Sequence, residues 1–140
     1  MDDPSNNEFS LRRKDVDTPT GKVTISYVVC EAIDRAGFKN AFSTRTGGLS
    51  AFPSSALNLG FFGGDTTANV TENRRRFLEA IGAGPARIVT GRQTHSTKIR
   101  VIESAKDARA PEQGCDALVT REAGVLLGVH TADCLPVIIA

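Results

Sequence analysis

The run GVHTADCLP, residues 128–136, places His130, Asp133 and Cys134 within five positions of an otherwise apolar segment. A thiolate at a break between strands, near a histidine from another loop, can act as a nucleophile or as a zinc ligand. A free cysteine is also a common buried apolar filler. Taken alone, the residues leave these readings of Cys134 open. His95, in GRQTHST, occupies a polar turn between two strand-like runs, where a side chain can be held by a sheet and still face a cleft. A surface histidine without a role fits the same turn. His130 alternates with Gly128 and Leu126 on one strand face, the pattern of a half-buried structural histidine. In STRTGGLS, the cationic Arg45 stands beside Gly47 and Gly48, a pair that lets backbone N–H groups approach an anion. GFFGGD is a weaker signal, because it lacks the lysine of a phosphate-binding P-loop.

The inventory restricts the metal chemistry. The chain has two histidines and three cysteines, Cys30, Cys115 and Cys134, with no CxxC spacing. A closed four-ligand zinc site would consume nearly all of them. An incomplete site, Cys134 with one or two histidines and an open position, suits catalytic zinc better. Cys30 and Cys115 are expected to be apolar fillers. The odd, unspaced set argues against a disulfide framework and for a reducing cytoplasm.

The elements that must position these residues read as a mixed α/β domain. Residues 1–20 are polar and charged, the composition of a mobile tail. KVTISYVV, residues 22–29, is β-branched and strand-like, and NAFSTR, residues 40–45, is a second short strand ended by Gly47-Gly48. GGLSAFPSSALNLGFFGGD is a long loop, and its Phe52, Leu57, Leu59, Phe61 and Phe62 predict packing. In TANVTENRRRFLEAIGAG, Val70, Phe77, Leu78 and Ile81 recur at helical spacing, with Asn73 and Arg74 on the same stripe. Asp65, Thr66 or Thr67 can cap this helix, Gly82 or Gly84 can close it, and Pro85 prevents continuation. RIVTGRQ and KIRVIE are strands flanking QTHST, and the last third predicts three short strands broken at 121–124 and 131–134. LPVIIA, at the end, has the apolar character of a buried strand, which suggests that part of the native domain is missing.

Composition excludes several classes. With 140 residues, the expectation is one domain. Seventeen basic and 16 acidic side chains give a net charge of +1, and the basic residues are scattered apart from Arg74-Arg75-Arg76, which argues against a nucleic-acid partner. No apolar segment approaches the ~20 residues needed to cross a bilayer.

The ordered succession FSTRTGGLS, LNLG, GD, V..NRRRF, RQTH, DALVT and GVLLGVHTADCLPVI, from about Asn40 to Ala140, resembles the laccase-domain family. This is the group once labelled multicopper polyphenol oxidases and now regarded as zinc-containing purine nucleoside phosphorylases. The resemblance implies a layered mixed sheet with few helices, of the kind shared with cysteine hydrolases and deamidating toxins. It makes residues 21–140 the N-terminal part of a single such domain. It also implies that His95, in the Q-x-H turn, and Cys134, in ADC, are metal ligands, joined by a histidine of an HAGWRG motif absent from these 140 residues. Asp133 becomes a partner that orients a ligand or moves a proton, and Arg45, Gly47, Gly48 and Gln93 line the substrate side. His130 matches no ligand of the family.

The activity the resemblance implies is cleavage of adenosine, inosine or guanosine by phosphate, with adenosine deamination as a side activity. Zinc is the expected metal, with copper the less favoured alternative. A blue-copper site takes a cysteine, two histidines and usually a methionine, and the sole methionine is Met1. A multicopper cluster would need many more than two histidines, so composition argues against laccase-type chemistry. Two other readings stand beside this one: a Cys–His hydrolase or deamidase with Cys134 as nucleophile and His95 as base, and an inactive fragment or binding module lacking the third ligand.

Overall fold

Apolar and polar residues alternate along GKVTISYVVC, and this segment forms a long antiparallel hairpin with FSLRRKDVDT. Strand β1, Phe9–Thr18, pairs with β2, Gly21–Cys30, in unbroken register from Phe9↔Cys30 to Thr18↔Gly21. The connection is tight: Gly21 has φ +123°, a value that favours glycine, and the Thr18 hydroxyl donates to the Gly21 carbonyl at 2.6 Å. The expected mobile tail is therefore corrected for residues 9–18. One face of β1, with Phe9, Leu11, Arg13, Asp15 and Asp17, is solvated, while Val16 on the other is fully buried opposite Val23. A strand with one wet face reads as polar by composition.

The computed structural model describes residues 8–51, 54–61, 64–84, 86–104, 106–109, 114–131 and 133–140. Where one domain is expected, the chain divides into two compact units, residues 1–84 and 85–139. The architecture is mixed α/β with few helices. The described residues form one three-stranded antiparallel sheet and two two-stranded parallel sheets.

In the first unit, β2 is flanked by β1 and by the short β3, Phe42–Ser43. Helix α1, Glu31–Arg35, follows β2, and Arg12 of β1 reaches its Glu31 at 2.8 Å and Asp34 at 2.9 Å. Gly47 and Gly48 do not end a strand; they lie within β4, Thr46–Ser50. The presumed long loop thus begins as a strand, and Leu57 beyond it is buried; Phe52 and Phe62 lie outside the described residues.

The long helix is α2, Thr67–Ala80. Thr66 caps it, its hydroxyl accepting the Asn69 N–H at 3.1 Å. At the other end Gly82 has φ +68°, its N–H donates to the Glu79 carbonyl, and the Ala83 N–H donates to the Leu78 carbonyl. These paired bonds form a Schellman closure. The buried stripe is Val70, Asn73, Arg76, Phe77 and Ala80, so Arg76 takes the place expected for Leu78 and Arg74. Phe77 meets Tyr27 of β2 edge-on with ring centres 6.5 Å apart, and the Tyr27 hydroxyl donates to the Ala80 carbonyl at 3.2 Å. Val16, Ile25, Val29 and Leu57 complete this core.

The second unit is built from parallel pairs. Strand β5, Arg87–Thr90, lies beside β8, Val125–Gly128, and β6, Ile99–Ile102, lies beside β7, Ala117–Thr120. Val89, Ile102 and Ala108 are its buried core, with Val125 packed against them. The third strand expected in the last stretch does not form: residues 135–140 have no regular structure, and Leu135 and Ile139 are 87% and 91% exposed. A strand requires a neighbour for its N–H and C=O groups, and no strand pairs with this run among the described residues.

Candidate functional site

The two candidate ligand segments leave the same end of one strand pair. Strands β5 and β8 run parallel, with Thr90 opposite Gly128. The His95 turn continues from β5 and the His130–Cys134 segment continues from β8. Both therefore emerge beyond carboxyl ends of parallel strands, where open α/β sheets bind ligands. Gln93 ties the two segments together. Its Nε2 donates to the His130 carbonyl at 2.9 Å, and its Oε1 accepts the His130 N–H at 2.8 Å. One side-chain amide thus copies the pairing of a strand neighbour. His130 itself is half-buried and continues the alternation of Leu126 and Gly128, as its sequence pattern predicts.

His95 is exposed and has φ +55°, in the left-handed region that side chains with a β-carbon adopt at a cost. Asp116 accounts for that conformation. Its carboxylate accepts the main-chain N–H groups of Thr94, His95 and Ser96 at 3.1, 2.9 and 2.8 Å, and the Ser96 hydroxyl at 2.7 Å. The Ser96 hydroxyl, followed by the Ser96, Thr94 and His95 amides, holds the Asp116 carboxyl down to about 2. Asp116 opens the DALVT motif, but nothing in its spacing shows that it serves a turn 20 residues earlier.

Cys134 is exposed, and its Sγ lies 3.8 Å from Oδ1 of the adjacent Asp133, which is also exposed. Cys30 and Cys115 are buried, as fillers should be. A β-carbon on Gly91 would lie 2.3 Å from the Cys115 sulfur, so this thiol occupies space that only glycine leaves open. Of the substrate-side candidates, Gln93 lies in the second unit, while Arg45, Gly47 and Gly48 belong to the first. Arg45 is exposed beside β4. Gly47 and Gly48 are tightly packed: added β-carbons would lie 2.7 Å from the Thr24 carbonyl oxygen and 1.9 Å from that of Ala56. The Gly48 N–H already donates to Ser55 at 2.9 Å. Close backbone packing thus gives both glycines a structural reason to be glycine. Among the described residues, no group of three or more histidine, cysteine, aspartate or glutamate side chains is gathered as a metal cluster. A histidine and a cysteine together are nonetheless a donor pair suited to zinc.

This is a mixed α/β protein of small sheets, with histidine- and cysteine-bearing segments beyond the carboxyl ends of parallel strands. Residues 39–140 match the family described as multi-copper polyphenol oxidoreductase laccase, and the chain belongs to that family. A purine nucleoside phosphorylase of Corynebacterium glutamicum is 38% identical over 102 residues, covering 73% of this chain and 42% of that protein. An adenosine deaminase from an unidentified prokaryote is 36% identical over 108 residues, covering 71% of this chain and 40% of its own length. The crystal structure of YlmD from Geobacillus stearothermophilus aligns with a TM-score of 0.64 at 33% identity, covering 72% of this chain and 40% of that one. The chain therefore spans about two fifths of the length of the curated relatives it matches.

Proposed function

We propose that the chain contributes the His95 and Cys134 ligands of a zinc-dependent purine nucleoside phosphorylase. The observation that carries this reading is the Gln93 clamp, which joins the turn of His95 to the segment leading to Cys134 at one end of a parallel strand pair. The similarity to a protein named purine nucleoside phosphorylase supports the substrate class, a purine nucleoside with phosphate. Bound zinc would supply Lewis acidity and lower the pKa of a coordinated water towards ~7.

The chain's own residues then take simple parts. Cys134 would hold the metal as thiolate and His95 as neutral imidazole, the forms zinc ligation requires. Asp133, beside the Cys134 sulfur, orients that ligand or carries a proton. Arg45, in the first unit, carries an exposed guanidinium suited to phosphate, and Gly47 beside it is packed against the Thr24 backbone. Gly48 shapes β4 through packing, since its N–H is engaged. The amide of Gln93 retains one further donor and one further acceptor site for a nucleoside.

The test is zinc content and turnover of the full chain with adenosine, inosine and guanosine, with and without phosphate, products resolved by chromatography. Expected are about one zinc per chain, phosphate-dependent release of free base, and loss of both in Cys134→Ala. Undiminished zinc in that variant overturns the site. Inosine from adenosine without phosphate would instead assign deamination, the activity in the name of a similar protein. Turnover that survives chelators and is abolished by alkylation of Cys134 would assign a Cys–His hydrolase.

A further inference from the structure

The left-handed backbone at His95 needs a compensating interaction, and its source lies outside the turn. Asp116 Oδ1 accepts the His95 and Thr94 N–H groups at 2.9 and 3.1 Å, while Oδ2 accepts the Ser96 N–H at 2.8 Å and the Ser96 hydroxyl at 2.7 Å. Three successive amides converging on one anion form a nest, here closed around the protein's own carboxylate. The carboxylate is itself anchored. The Asp116 N–H donates to the Lys98 carbonyl at 3.1 Å, where β6 and β7 begin to pair, and the preceding Cys115 N–H donates to the Arg92 carbonyl at 3.1 Å. The turn is thus gripped from the strand that follows it in space, and its geometry is imposed before any ligand arrives.

We propose that Asp116 is a positioning residue that presets the direction of the His95 imidazole, so that metal affinity depends on a carboxylate that is not itself a ligand. Both of its oxygens already accept N–H or O–H donors. The inference rests on the reading of His95 as a zinc ligand. Removal of the carboxylate frees residue 95 to relax to ordinary backbone angles, which swings the ring away from its preset direction. The consequence falls on metal binding, while the β5–β8 and β6–β7 ladders persist.

The experiment is a zinc titration of the uniformly 15N-labelled full chain, followed through the His95 ring nitrogens and the backbone amides. The wild type, Asp116→Ala, Asp116→Asn and His95→Ala are compared. In the wild type, zinc moves the His95 ring resonances. In Asp116→Ala, the Thr94–Ser96 amides lose hydrogen-exchange protection and the zinc dissociation constant rises about 10- to 100-fold, the range typical of residues that orient a metal ligand. Added formate, occupying the emptied nest, restores part of the affinity. Asp116→Asn, which keeps one acceptor oxygen, falls between, and it decides the question on the same criteria if the alanine variant does not fold. Unchanged affinity together with lost protection at 94–96 overturns the positioning role. Unchanged affinity in His95→Ala overturns the ligand assignment itself, so the two failures are distinguishable.

Discussion

Gln93 satisfies both ends of its amide on the main chain of one distant residue, His130. That geometry predicts a coupling between the two ligand segments. Gln93→Ala removes both bonds, each worth about 0.5–1.5 kcal/mol in net stability, and the zinc dissociation constant is expected to rise about tenfold. Calorimetric titration with zinc checks this, and an affinity equal to wild type would show that the segments need no clamp. The residue types at this site were legible: the glutamine, the histidines and Cys134 all stand out in the chain. Their partners were not, because 37 residues separate Gln93 from His130 and 20 separate Ser96 from Asp116. A carboxylate whose donors are all contributed by a remote turn carries no local pattern.

Helix α2 does more than cover the first core. Asn73, fully buried, accepts the Leu49 N–H at 2.8 Å and donates to the Ser50 hydroxyl and to the carbonyls of Ala56 and Asn58. Arg76 donates to the Gly47 carbonyl at 3.2 Å while Glu72 neutralises it at 3.0 Å. Arg74 donates to the Leu59 carbonyl and lies 4.4 Å over the Phe61 ring. The polar residues of NRRRF therefore hold β4 and the segment after it, including the backbone beside Arg45. Asn73→Ala leaves buried backbone groups without their partner, at about 1–3 kcal/mol for each group so exposed to desolvation. The expected loss is about 3 kcal/mol, read as a lower urea midpoint; a midpoint within error of wild type would show that water replaces the amide. The extent and caps of α2 were readable because 3.6-residue spacing and capping are local properties. The burial of Arg76 was not, because Gly47 stands 29 residues away.

At the scale of the molecule, three carboxylates tie stability to acid. Asp65 is held down to about 2, chiefly by the Ser50 hydroxyl and then by Asn69 and Asn58. Glu72 is held down to about 2, chiefly by Arg75 and then by Arg76. Asp116 behaves likewise through Ser96. A carboxyl whose pKa is lower folded than unfolded favours the fold above the unfolded value and ceases to do so as pH falls through the folded one. The thermal midpoint should therefore be flat above about pH 5 and fall as pH drops from about 4 towards 2. Asp65→Asn should make that fall shallower. A midpoint that holds constant from pH 5 to pH 2 would contradict these assignments.

Chemistry-bearing residue types, the limits of α2, most strand cores and the succession of motifs that marks the family were determined by the sequence itself, since each depends on neighbours a few positions apart. The tertiary structure alone decided that residues 9–18 form a strand, that Gly47 and Gly48 are packed against the Thr24 and Ala56 backbone, and that Asp116 and Gln93 hold the His95 turn. The physical reason is common to all three. Each outcome is a hydrogen bond or a steric contact between segments distant along the chain, and such contacts exist once pairing has fixed the register between strands.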